Sequence, residues 1–115
     1  MIEPLVKVLK GQRAKVFAII GRNTMSSAFM AARDLKHTAH ATLVGEPTGQ
    51  KPNSYGELKT FELPNSHMVV NYSTKYFKLA DRGDPPSYEP DRKVPMTAAD
   101  LQSGRDPLMD WIQKQ

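Results

Sequence analysis

The chain has 115 residues, enough for one small domain with a modest core, and its 39% apolar and 24% charged residues are ordinary for a globular piece. The absence of cysteine excludes disulfides and thiolate metal sites, and no apolar run approaches the ~20 residues of a membrane-spanning helix. The net charge of +4 is spread along the chain rather than gathered on one helix or stripe, and no aromatic RNA-binding signature accompanies it. A solvated surface is therefore expected, with no nucleic-acid partner.

In chain order, Met1 to Lys10 is expected to form a short amphipathic helix closed by Gly11. Lys15-Val-Phe-Ala-Ile-Ile20 is a short apolar, partly β-branched run, the pattern of a buried strand. Gly21-Arg-Asn-Thr24 interrupts it with turn and capping residues. Apolar positions at Met25, Phe29, Ala32 and Leu35 then follow helical spacing, so a helix is expected from about Met25. Ala41-Thr-Leu-Val44 reads as a second strand, and Gly45-Glu-Pro-Thr-Gly-Gln-Lys51 as the loop after it.

The second half reads as sheet and loop. Glu57 to Leu63 and Met68 to Tyr72 flank the turn Pro64-Asn-Ser66, a plausible hairpin, with Thr74 to Leu79 extending the second strand or forming a third. Arg82-Gly-Asp-Pro-Pro-Ser87 is too proline-rich to pair centrally. Thr97-Ala-Ala-Asp100 is a capping box ended by Gly104, and Asp106-Pro107 opens a last helix carrying Met109 and Trp111, read as packing residues. His37, His40 and His67 lack metal-ligand spacing, so no metal and no cofactor are expected.

One position stands out chemically. Ser26 falls on the first turn of a helix that follows a buried strand, where free N–H groups and the positive end of the helix dipole stabilise a developing oxyanion. A lysine buried beside an apolar wall loses basicity and can accept a serine proton, and Lys51 ends the next loop. On residues alone, Ser26 reads first as a capping serine and Lys51 as a solvated loop lysine.

The strings Val16-Phe-Ala-Ile-Ile-Gly-Arg-Asn-Thr-Met-Ser-Ser-Ala28 and Leu43-Val-Gly-Glu-Pro-Thr-Gly49 resemble the catalytic core of the C-terminal processing (tail-specific) serine peptidases. Thr24-Met25-Ser26 falls on the start of that family's serine turn, and Gly45-Glu46-Pro47-Thr48 on its Gly-Glu-Pro-Thr loop, both without a gap. The resemblance extends through Pro52-Asn-Ser-Tyr-Gly-Glu57, Leu63-Pro-Asn-Ser66, Tyr72-Ser-Thr-Lys-Tyr-Phe77, Glu89-Pro-Asp91 and Gly104-Arg-Asp-Pro107, in the manner of a bacterial branch.

It implies Ser26 as nucleophile, Lys51 as general base and the Ser27 N–H as an oxyanion donor. Phe29 stands where a glutamate usually follows the serines, which makes Ser27 a rival nucleophile, and Gln50 stands where the family has glycine. The sister tricorn-type peptidases use serine with a distant histidine and a glutamate, which makes Glu89 a second-line candidate. The family's upstream Asp-Leu-Arg-x-Asn-x-Gly-Gly segment and PDZ domain have no match here.

The expectation is therefore an α/β fold, the C-terminal portion of a crotonase/Clp-protease-like core, with a mixed sheet and flanking helices, as a single domain over residues 1–115. Its expected function is peptide-bond hydrolysis through an acyl-enzyme on Ser26, with a peptide or protein as partner, weak in the isolated chain. Alternatives are a non-catalytic fragment serving as an assembly or binding module, and a small basic binding protein. An uncovered sheet edge makes a homo-oligomer the expected state, and the bacterial cytoplasm and the cell envelope are both open as locations.

Overall fold

The short apolar runs pair where periodicity places them. The computed structural model describes residues 2–11 and 13–115, so the expected helix start at Met1 lies outside the described residues. In chain order these form α1 (Glu3–Lys10), β1 (Phe17–Ile20), α2 (Ser27–Ala39), β2 (Thr42–Gly45), β3 (Asn53–Glu62), β4 (Val69–Lys78), β5 (Arg92–Lys93), α3 (Ala98–Ser103) and α4 (Pro107–Ile112).

β1 and β2 run parallel, Phe17 opposite Thr42 through Ile20 opposite Gly45, and β5 adds a third parallel strand beside β2. Parallel neighbours require a crossover connection, and α2 supplies it. Its apolar stripe buries Phe29, Ala32 and Ala39. The core is Ile20, Phe29, Ala32, Leu43 and Tyr88, with the Phe29 and Tyr88 rings edge to face at 5.4 Å. α1 packs against α2 and buries Val6. α4 brings Trp111 edge-on to Phe17, 6.0 Å between centroids, with the Arg92 guanidinium 5.6 Å from its ring.

β3 and β4 form a long antiparallel hairpin, Asn53 opposite Lys78 through Glu62 opposite Val69. This corrects the expected single mixed sheet: the parallel and antiparallel ladders are separate sheets. β4 runs unbroken through Lys78, so Thr74 to Lys78 extends the second strand rather than forming a third. The hairpin projects from the core, giving extents of 59 × 39 × 27 Å and a radius of gyration of 17.7 Å, against about 13 Å for a compact chain of this length. The expected capping box is present, with Thr97 and Asp100 bonding reciprocally and Gly104 left-handed at the helix end.

Candidate functional site

The turn between β1 and α2 closes on itself. Thr24 N–H donates to the Gly21 carbonyl at 2.8 Å, and Gly21 N–H donates to Thr24 Oγ1 at 3.0 Å. The chain then enters α2 through Ser26, at φ 52° and ψ −123°, with no hydrogen bond from its hydroxyl to the helix. An ordinary capping serine has extended backbone and its oxygen accepts an N–H two or three residues on; Ser26 does neither. A non-glycine residue at positive φ costs on the order of 1–3 kcal/mol and persists only where its surroundings over-determine it. Ser27 is the first residue of the helix, so its N–H belongs to the turn that has no intrahelical acceptor.

The loop after β2 supplies those surroundings. Gly45 sits at φ +126°, where a methyl group would lie 2.2 Å from the Ile20 carbonyl oxygen. At Gly49 a methyl would lie 2.1 Å from the Arg22 carbonyl oxygen. Both glycines let the loop press against the Ser26 turn with backbone alone. Buried Thr48 fixes the loop: its N–H donates to the Tyr88 carbonyl, its Oγ1 accepts from Tyr88 N–H at 2.9 Å and donates to the Gln50 carbonyl at 2.8 Å. Gln50 then reaches back, its Oε1 accepting from Ser26 N–H while its Nε2 donates to Ser54 Oγ at 2.6 Å.

Ser26 and Ser27 line a cavity of about 430 Å³ with Phe29, Met30 and Gln50 on one side and Ser54, Tyr55, Gly56, Glu57, Phe77 and Leu79 on the other. The first group comes from α2 and the loop, the second from the root of the hairpin. The space is largely apolar, with the serines, Gln50 and Glu57 as its polar groups.

Lys51 has another partner. Its ammonium donates to Asp84 at 2.6 Å, and buried Asn53 holds Asp84 in place by donating to its carboxylate and to the Gly83 carbonyl. Lys51 lines a neighbouring cavity with Met25, Tyr55 and Tyr76 rather than the one lined by Ser26. The hydrogen bond and charge of Asp84 raise the Lys51 pKa above its ordinary 10.5, the opposite of what a neutral base requires. The expected apolar wall is missing because Lys51 is exposed while Pro52 and Asn53 turn inward. Glu89 is likewise engaged, accepting from Ser87 and pairing with Lys93 at 2.7 Å, which lowers its pKa, and it lines a separate cavity.

None of the three histidines lines the Ser26 cavity. His37 meets Tyr88 Oη at 3.3 Å and Asp81 at 3.5 Å, while His67 pairs with Glu62 near the hairpin tip. Among the described residues no cluster of three or more histidine, aspartate or glutamate side chains could hold a metal ion, and no helix is long and apolar enough to cross a membrane. Sequence reasoning missed Gln50 and Ser54 as a bridge across the cavity. The only signal was the amide side chain at a position where the resembled family has glycine.

No protein-family model and no curated protein sequence matches the chain. Among solved structures, the chain is similar to the crystal structure of a "putative peptidase" from Parabacteroides merdae, with a TM-score of 0.69 and 21% sequence identity. The match covers 90% of this chain and 32% of that one, so the chain spans about a third of its neighbour's length. At that identity the likeness concerns the fold. It shows that the two chains share an α/β fold over the matched region.

Proposed function

We propose that the chain carries the nucleophile-bearing part of a serine peptidase core of the tail-specific type, with a crotonase/Clp-like arrangement completed by segments outside it. The observation that carries this reading is Ser26 itself: a serine at positive φ between β1, the edge strand of the parallel sheet, and a helix, its hydroxyl uncommitted to capping, on the wall of a cavity. Strained backbone of this kind concentrates at functional sites. In the proposed reaction Ser26 Oγ attacks a peptide carbonyl carbon and loses its proton to a base. The Ser27 N–H stabilises the oxyanion, the amine departs with a proton, and water then hydrolyses the ester. Lys51 serves as base only in a state where its pair with Asp84 has opened; Glu89 would require a histidine from outside the chain.

The test is labelling by a fluorophosphonate, read by mass on the peptide that contains Ser26, with Ser26→Ala and Ser27→Ala as controls. Loss of label in Ser26→Ala alone supports the assignment, and label retained in Ser26→Ala but lost in Ser27→Ala moves it to Ser27. Absence of label in every form favours the second reading, a non-catalytic assembly or binding module, which the engagement of Lys51 by Asp84 supports. Self-association belongs to the same proposal: the hairpin exposes Tyr55, Leu58, Phe61 and Tyr72, and sizing by light scattering tests it.

A further inference from the structure

We infer that Ser26 N–H and Ser54 Oγ form a peptide-group site on the wall of the Ser26 cavity, and that the chain itself fills those two contacts with the side chain of Gln50. The inference rests on the proposed reading for the meaning of the site, but its geometry stands separately. A carboxamide has the hydrogen-bonding groups of a peptide bond, one carbonyl acceptor and N–H donors. Gln50 uses both across the cavity: Oε1 faces Ser26 N–H on one wall and Nε2 faces Ser54 Oγ on the other. The orientation is fixed by chemistry, because a backbone N–H can only donate and so must face the oxygen.

A substrate peptide group entering beside Ser26 would make the same two contacts, its carbonyl on Ser26 N–H and its N–H on Ser54 Oγ. Gln50 is therefore a competitor tethered next to the site. Its backbone is pinned by Thr48, whose hydroxyl donates to the Gln50 carbonyl, while the side chain has single bonds about which it can swing away. Opening costs one hydrogen bond to Ser26 and one to Ser54, both recovered when a peptide group replaces them. The contact is autoinhibitory, and Ser54 is assigned as a positioning residue for the substrate amide.

Gln50→Ala removes the competitor, and Gln50→Glu keeps an oxygen that accepts from Ser26 N–H. With the fluorophosphonate as probe, Gln50→Ala should label at Ser26 roughly five- to hundredfold faster than the native chain, the factor for losing two ordinary net hydrogen bonds. Gln50→Glu should label no faster than the native chain. Hydrogen exchange at the Ser26 amide should be slow in the native chain and in Gln50→Glu, and fast in Gln50→Ala. Labelling that is unchanged or slower in Gln50→Ala would overturn the inference, since Gln50 would then be a strut holding the turn. If no form labels, exchange decides: protection lost only in Gln50→Ala upholds the occupancy and removes the nucleophile reading instead, and equal exchange in all forms overturns the occupancy.

Discussion

The parallel-sheet core and the hairpin arm divide the molecule by what they bury. In the core, Phe29 is 1% exposed and Leu43 and Val44 are 0% exposed; in the arm, Tyr55 and Leu58 are 72% and 69% exposed. The core is held by close packing, which tolerates little change. The arm is held by its ladder and by cross-strand ring pairs, Tyr55 with Tyr76 at 4.8 Å and Phe61 with Tyr72 at 6.0 Å. A two-stranded hairpin alone is marginal in water, so this one depends on its root, where Asn53 accepts from Ala80 N–H and donates to Gly83. The candidate site lies at the joint between the two, with one wall from each. A rigid nucleophile turn and a more compliant wall suit a cavity that must admit a chain.

The comparison is tested most strongly by deletion of apolar bulk on each side. Phe29→Ala should cost about 3–5 kcal/mol, as for other fully buried aromatics, while Leu58→Ser in the arm should stay within about 0.5 kcal/mol. Urea unfolding measures both, and similar losses would mean that the arm is packed in solution. Glycines give the next contrast. Gly45→Ala places a methyl against the Ile20 backbone at φ +126° and should cost about 1–3 kcal/mol from strain alone. Gly83→Ala, also at positive φ but with open space around it, should cost only about 1 kcal/mol.

The same division marks what the sequence made legible. α2 and β2 declare themselves because a helical stripe or an apolar run is the direct imprint of a buried face, and Thr97 and Asp100 announce their cap by local chemistry. The apolar run of β1 gave a strand but not the expected burial, since it lies at the sheet edge with Ile19 exposed and only Ile20 buried. The arm was legible as a hairpin through Pro64-Asn-Ser66, but its separation from the parallel sheet was not, since strand pairing depends on which edges the chain brings together. Ser26 was placed by its position between strand and helix. Lys51 and Asp84 lie 33 residues apart, and nothing in their neighbourhoods reveals the Asn53 bridge that joins them. Long-range polar partners leave no periodic trace.

Asp91 ties α2 to the central strand and sharpens the picture of the core. It accepts from Lys36 at 2.6 Å and from the N–H of fully buried Leu43 at 2.9 Å. Burial alone would push its carboxyl up, and these two hydrogen bonds outweigh that, leaving its pKa below the ordinary 3.8. Asp91→Ala strands the Leu43 N–H and should cost about 1–3 kcal/mol, whereas Asp91→Asn keeps an acceptor there and should cost less. A carboxyl depressed on folding contributes stability above its unfolded value, and that contribution disappears as pH falls through the folded one. Acid unfolding of Asp91→Asn should accordingly show a shallower loss between about pH 4 and the folded pKa.

The smallest expected effect on stability is at the joint itself, and it decides the role of Lys51. Both Lys51 and Asp84 are solvent-exposed, so breaking the pair with Asp84→Asn should change stability little, and less still in 1 M salt. The pair's signature lies in pH. Lys51 is raised above 10.5 by the hydrogen bond and charge of Asp84, and Asp84 is lowered below 3.8 chiefly by the hydrogen bond from Lys51. A raised lysine contributes stability below its unfolded pKa and loses it as pH rises through the folded one; a depressed aspartate contributes above its unfolded pKa and loses it as pH falls through the folded one. The pair's contribution is thus complete between those two ordinary values and fades at both ends. Asp84→Asn frees the ammonium and lets its pKa fall toward the ordinary value. If Lys51 is the base for Ser26, the alkaline rise in fluorophosphonate labelling should move to lower pH in Asp84→Asn and vanish in Lys51→Met. A pH profile identical in the native chain and both variants would exclude Lys51 as the base for Ser26.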